Sequence, residues 1–257
     1  MRLFLKNPGI SGKIDWEKVR KMGRKWNNIK YGKAAKDASR SKIYAKFGRE
    51  IYVAAKPLPD PELNRTLAGV IDKAKTYKVP KDIIDRAIDK AKGGKGENYE
   101  TLRYEGYGPN GSAIIVDCLT DNVNRTVSEV RATFSKNGGA LGVNGSVTFM
   151  FEQAGLVGAT NVTEDQVLES LMNLECDATD IETSEDGILV YTTIENFNLA
   201  QQAFKAIGVE EFSTCEITML PINSVTLTDE ALERFERLID TLDELDDVQN
   251  VFHNVEN

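Results

Sequence analysis

The charge on this chain is divided between its two ends, and that division sets what the chain can become. Residues 1–95 hold 25 Lys and Arg against 10 Asp and Glu, a net +15. Residues 96–257 hold 7 against 30, a net −23, so the overall −8 hides both values. The chain reads as a basic head on an acidic body. Such a head calls for a polyanionic partner, and the body would repel nucleic acid, which confines contact to one end. A length of 257 residues predicts about two domains or three small ones. No apolar run approaches the roughly 18 residues that span a bilayer, so no membrane partner is expected. Cys118, Cys176 and Cys215 are far apart and odd in number, which argues against disulfides and CxxC sites and for a cytoplasmic home.

The head has helical periodicity. Ser39 or Ser41 can cap a helix that runs to about Lys56 and stops at Pro57. Its apolar positions Ile43, Phe47, Ile51 and Ala54 share one face, and Lys42, Lys46, Arg49 and Lys56 form a stripe opposite. Lys25, Trp26, Lys30, Lys33, Lys36 and Arg40 feed into the same region. Asp60-Pro61 predicts the start of a second helix buried through Leu63, Leu67, Val70, Ile71 and Ala74. A third begins at Pro80, buries Ile84, Ala87, Ile88 and Ala91, and ends at Gly93-Gly94. Residues 1–21 read as an N-terminal extension, because Met22-Gly23-Arg24-Lys25-Trp26 looks like a second beginning.

The body has strand periodicity broken by helices. Thr101–Tyr107 and Ser112–Leu119 flank a Pro-Asn-Gly turn, and a helix after Asp121 or Asn122 runs to Asn137-Gly138-Gly139. Ser146–Phe151 and Gly155–Ala159 suggest a hairpin, and Thr163 with Gln166 a capping box. Strands near Ala178–Glu182, Ile188–Thr193, Glu211–Met219, Ser224–Leu227 and Val248–Val255 complete the pattern, with a helix near 198–207 and another through Leu232, Phe235, Leu238, Ile239 and Leu242. This is an α+β body, most simply two split-βαβ layers.

Motifs that carry catalysis or bind metals and cofactors are missing from the sequence. There is one histidine, His253, and no GxSxG, HExxH or GxxxxGK[ST]. The glycine-rich stretch Gly138–Gly145 follows a helix, whereas phosphate cradles precede one. It reads as a C-cap and inter-domain turn, with a binding loop as the alternative. Asp121–Thr126 reads either as a capping turn or, through Asn122, Asn124 and Arg125, as a second nucleic-acid contact. The basic stripe is either a solvated helix face or a phosphate-binding surface, and the +15 excess favours the second reading.

Several segments together resemble the YebC/PmpR family: Gly23-Arg24-Lys25-Trp26-Asn27-Asn28-Ile29-Lys30, Lys33-Ala34-Ala35-Lys36-Asp37, Lys42–Phe47, Val79-Pro80-Lys81-Asp82, Tyr104–Pro109, Leu119–Thr126 and Gly145-Ser146-Val147. The match runs in order from residue 22 to the end. It implies three domains: a helical one over 22–97, an α/β domain from 98–140 and 220–257, and an α/β domain over 141–219 inserted in it. It also implies a cytoplasmic, non-enzymatic protein without cofactor or metal. Family members are described as probable transcriptional regulators that bind DNA. A mitochondrial relative activates translation, and some bacterial members act on ribosomes stalled at proline-rich stretches.

Three functions follow as expectations: a DNA-binding regulator, a ribosome-associated translation factor that binds rRNA, and a module whose acidic body binds basic proteins. The nucleic-acid candidates are Lys25, Trp26, Lys30, Lys33, Lys36, Arg40, Lys42, Lys46 and Arg49, with Asn122, Asn124 and Arg125 as the second contact.

Overall fold

The computed structural model of the chain describes residues 37–93, 96, 98–184 and 187–256. The head contains α1 (Asp37–Ala55), α2 (Arg65–Thr76) and α3 (Lys81–Lys92). Phe47, Ile51 and Ala55 recur every four residues on one face of α1. They pack with Leu67 and Ala74 of α2 and with Ile84, Ala87 and Ile88 of α3. Pro57 ends α1, since proline has no N–H and disfavours helical geometry in the residue before it.

α2 starts later than Asp60-Pro61 suggests. Asp60 accepts from the Glu62 N–H in a turn, and Leu63 is left 71% exposed rather than buried. The cap is Asn64. Its Oδ1 accepts from the Leu67 N–H, and its Nδ2 donates to the Ala54 and Leu58 carbonyls. An amide both donates and accepts, so one side chain starts α2 and satisfies the end of α1. A carboxylate can only accept.

The body holds two four-stranded antiparallel sheets. The first runs in the order β3 (Ala140–Leu141), β1 (Glu100–Tyr107), β2 (Ala113–Thr120), β8 (Val248–His253). The second runs β5 (Ala178–Ser184), β6 (Gly187–Thr192), β4 (Phe151–Ala159), β7 (Thr214–Pro221). Every strand of the second sheet lies in sequence between β3 and β8, so this unit is inserted in the first. The fold is α+β, a helical N-terminal region followed by two sheets with helices.

Helices α4 (Val123–Lys136) and α7 (Asp229–Glu244) cover one face of the first sheet, where Val130, Phe134, Leu238 and Leu242 meet Ile114, Val116 and Cys118. Ala113 and Ile115 point to the other face and pack with Val147, Phe151 and Met219. Burial on both faces accounts for the nearly continuous apolar run in β2. In the second unit α5 (Glu164–Asn173) and α6 (Ile194–Ala206) cover Val157, Val190 and Cys215. The Thr163–Gln166 capping box opens α5.

Two expected strands do not form. Ser224–Leu227 contributes one parallel bridge, Val225 to Val255. Residues 146–150 form a turn and a 3₁₀ segment, Thr148–Met150, in place of half a hairpin. The cause is Glu105, which is 3% exposed. Its carboxylate accepts from the N–H groups of Gly145, Val147 and Thr148 at 2.7, 2.7 and 2.8 Å. A strand turns successive N–H groups to opposite sides, so three converging on one anion require a curled backbone. Gly145, at φ 83°, supplies the left-handed step. The glycine-rich loop therefore caps α4, adds β3, and wraps a carboxylate from its own chain.

Burial alone would push the Glu105 pKa up, but the three N–H donors outweigh it and hold the pKa below the ordinary value. A depressed folded-state pKa stabilises the fold above the unfolded carboxylate range, and that contribution disappears as pH falls through the folded value. Glu105→Gln should cost about 2–3 kcal/mol at pH 7. Urea unfolding at pH 7 and pH 3.5 checks this: the gap between variant and parent narrows at the lower pH.

Candidate nucleic-acid interface

The basic stripe of α1 faces the body. Lys42 Nζ donates to the Glu244 carbonyl and Lys46 Nζ to the Asp243 carbonyl, each at 3.0 Å, and Arg49 Nη2 donates to the Asp246 carbonyl. Asp243 and Glu244 lie at the C-terminal end of α7, where carbonyls lack intrahelical partners and the helix dipole is negative, and Asp246 follows in the loop. Lys42 is exposed, but Lys46 and Arg49 are half-buried rather than fully solvated. A cationic stripe opposite an apolar face stays in water only if no neighbouring unit offers unmet carbonyls. Arg40 is exposed on the same helix. Lys25, Trp26, Lys30, Lys33 and Lys36 lie outside the described residues.

A second tie links the head to the inserted unit. Lys205 Nζ of α6 meets Asp72 Oδ2 of α2 at 2.8 Å.

The Asn122–Arg125 turn is engaged within the body. Asn122 Oδ1 accepts from the Arg125 N–H and caps α4. Arg125 Nη2 reaches Asp247 Oδ2 at 2.7 Å and Asp121 Oδ1 at 2.9 Å. The Asp247 side chain is only 4% exposed and also accepts from the Thr120 and Thr126 hydroxyls, at 3.1 and 2.8 Å. Burial would raise the Asp247 pKa, but Arg125 and the two hydroxyls overcome it and hold the carboxyl below its usual range. Asn124 stays exposed. Asp247 was invisible as a partner because it lies at the far end of the chain from Arg125.

A groove lies between α1 and α3. It has a volume of about 480 Å³ and is lined by Tyr44, Arg49, Tyr52, Arg86, Lys90 and Tyr99, among others. Lys90 Nζ stands 5.3 Å from the centre of the Tyr52 ring, and Arg86 pairs with Asp82 at the rim. The signal for Arg86 and Lys90 was present in the sequence as two cations one helical turn apart, outside the buried stripe of α3.

None of the thiols or the imidazole is poised for nucleophilic or acid–base work. Burial pushes the Cys118 thiol up to about 12 and those of Cys176 and Cys215 up to about 11. Burial also pushes His253 down to about 4, where it stands edge-on to Phe235 at 5.0 Å. Among the described residues no group of three His, Cys, Asp or Glu side chains could hold a metal ion, and no helix is long and apolar enough to cross a membrane.

A basic three-helix head carried on two sheet units, one inserted in the other, defines a three-part α+β protein. Residues 24–94 match the model of the TACO1/YebC protein N-terminal domain, and residues 99–255 match that of the TACO1/YebC second and third domains. The chain belongs to the TACO1/YebC family, which is transcription-regulator-like. A crystal structure of a conserved hypothetical protein from Aquifex aeolicus is similar, with 38% identity and a TM-score of 0.74 over 86% of this chain and 91% of that one.

Reversing Lys42, Lys46 and Arg49 to Glu should weaken head docking by roughly 1–3 kcal/mol, because each reversal sets a carboxylate against a helix C-terminus. Small-angle scattering should show a larger radius of gyration, and proteolysis between α3 and β1 should quicken. Arg125→Met strands a buried carboxylate and should lower the urea midpoint. Arg125→Lys should recover only part of the loss, since an ammonium lacks the planar fork.

Proposed function

We propose that this protein is a non-enzymatic, nucleic-acid-binding regulator of gene expression that makes contact through its helical head. The observation that carries this reading is the charge division of the sequence, in which residues 1–95 sum to +15 and residues 96–257 to −23. Phosphate contacts from Lys and Arg dominate nucleic-acid affinity, and an acidic body directs the polyanion to the head. The buried, protonated thiols and the neutral His253 support the non-enzymatic part of the reading.

DNA is the partner that the regulator-like character of the family suggests. A second reading, a ribosome-associated translation factor, draws support from the groove. Tyrosine and arginine side chains in a concave site between two helices suit an unpaired base, and folded RNA offers many of those. The acidic body as a docking surface for basic proteins is a third reading, favoured by composition alone.

Ribosome co-sedimentation in about 150 mM salt, paired with competition between promoter and scrambled duplex, tests the proposal. Binding should fall steeply as salt is raised from 50 to 200 mM, as counterion release requires. A promoter preference above about a thousandfold without ribosome association would select transcription. Ribosome association without promoter preference would select translation. Binding to neither would defeat the proposal.

A further inference from the structure

We infer that the contact between the α1 stripe and the end of α7 is an autoinhibitory latch: the docked body occupies the cations that nucleic-acid phosphates need, and binding draws the head away from it. The inference rests on the reading of the head as a nucleic-acid-binding unit and gives that unit a closed and an open state.

Three observations carry the latch. The first is occupancy. Lys42, Lys46 and Arg49 share one face of α1, spaced four and three residues apart, and all three donate to carbonyls of the body. The side chains of Asp243, Glu244 and Asp246, the residues that supply those carbonyls, are exposed. A phosphate at the docked stripe would be repelled by their charge and would have to displace the carbonyls.

The second is separability. Among the described residues, the apolar core of the head is drawn from residues 43–91 and takes none from the body. Lifting α1 from the end of α7 breaks hydrogen bonds and leaves that core whole. The ion pair from α2 to the inserted unit, Lys205 to Asp72, is exposed on its Lys side and yields to salt.

The third is that docking leaves Arg49 incompletely met. Its Nη2 donates to the Asp246 carbonyl, while its Nε is buried and has no hydrogen-bond partner among the described residues. Buried guanidinium N–H groups rarely stay unmet. A phosphate presents two oxygens side by side and accepts from Nε and Nη2 together. Docking and phosphate binding draw on the same cations, so each weakens the other by the same factor.

Reversing the stripe itself would remove docking and binding together, so the test acts on the body. It uses the full chain and two labelled probes in fluorescence anisotropy, a DNA duplex and an RNA hairpin, both of mixed sequence. Lys42→Cys with Glu244→Cys is joined by a short bis-maleimide, which the buried native thiols do not meet. The crosslinked chain should bind the preferred probe at least about tenfold more weakly than the same variant before crosslinking. On duplex its slope of log affinity against log salt should be smaller by about 1.8, two phosphates at ~0.9 each. Glu244→Lys with Asp246→Lys should open the head, raise the radius of gyration, and bind at least about threefold more tightly than the charge-matched control Glu233→Lys with Glu236→Lys. Thermal unfolding checks that each variant is folded. Failure of the crosslink to close, or equal affinity and slope before and after it while the parent binds, would overturn the latch. So would an opened variant that binds no more tightly than its control. If the parent binds neither probe, the failure belongs to the reading of the head.

Discussion

The segment Asp243–Asp247, from the last turn of α7 to the start of β8, holds the parts of this protein together. The carbonyls of Asp243, Glu244 and Asp246 take the three head cations. The Asp247 carbonyl takes the Leu119 N–H of β2 at 2.8 Å, and its carboxylate takes Arg125 and two threonine hydroxyls from β2 and α4. A helix end leaves carbonyls without partners, and a buried carboxylate is costly unless it is paired and hydrogen-bonded. Both requirements are met here by residues from distant parts of the chain. The segment therefore joins the head, α4 and the first sheet at one place.

Lys42, Lys46 and Arg49 of the head donate to main-chain acceptors. A carbonyl is present whatever the side chain and does not titrate, so these three hydrogen bonds do not depend on the residue types that carry the acceptors. The surrounding acidic side chains of α7 and the loop supply a diffuse field that adds to the helix dipole. The side-chain tie from the head to the second sheet unit, Lys205 to Asp72, is exposed on its Lys side and belongs to the weak class of surface pairs.

Elements with strong periodicity or a local cap were legible in the sequence. The stripe of α1, the Pro80 start of α3, the Thr163–Gln166 box and the all-apolar β2 each follow from residues close together in the chain. Misreadings arose where a distant residue decided the local structure. Asp60-Pro61 has the local pattern of a helix start, but an amide at Asn64 caps α2 and also satisfies α1. Residues 146–150 looked extended until the Glu105 carboxylate drew in three of their N–H groups. Lys46 and Arg49 looked solvated until α7 presented its terminal carbonyls. The groove was only half visible: Arg86 and Lys90 show a helical spacing, but nothing local brings Tyr44 and Tyr99 beside them.

The insertion of one unit inside another also sets an order of events during synthesis. β2 finds its inner neighbour β1 almost at once, because the Pro-Asn-Gly turn separates them. Its other edge waits for β8, which pairs Ile114 with His253 and Val116 with Val251 near the end of the chain. Until then an apolar strand stands with an open edge, the kind that invites pairing with another chain. The strands of the second sheet are complete once residue 221 has been made, so the inserted unit can form while the first sheet is still unfinished. The first unit thus closes last, around a partner that is already folded, and its assembly is the slow, long-range step of the whole molecule.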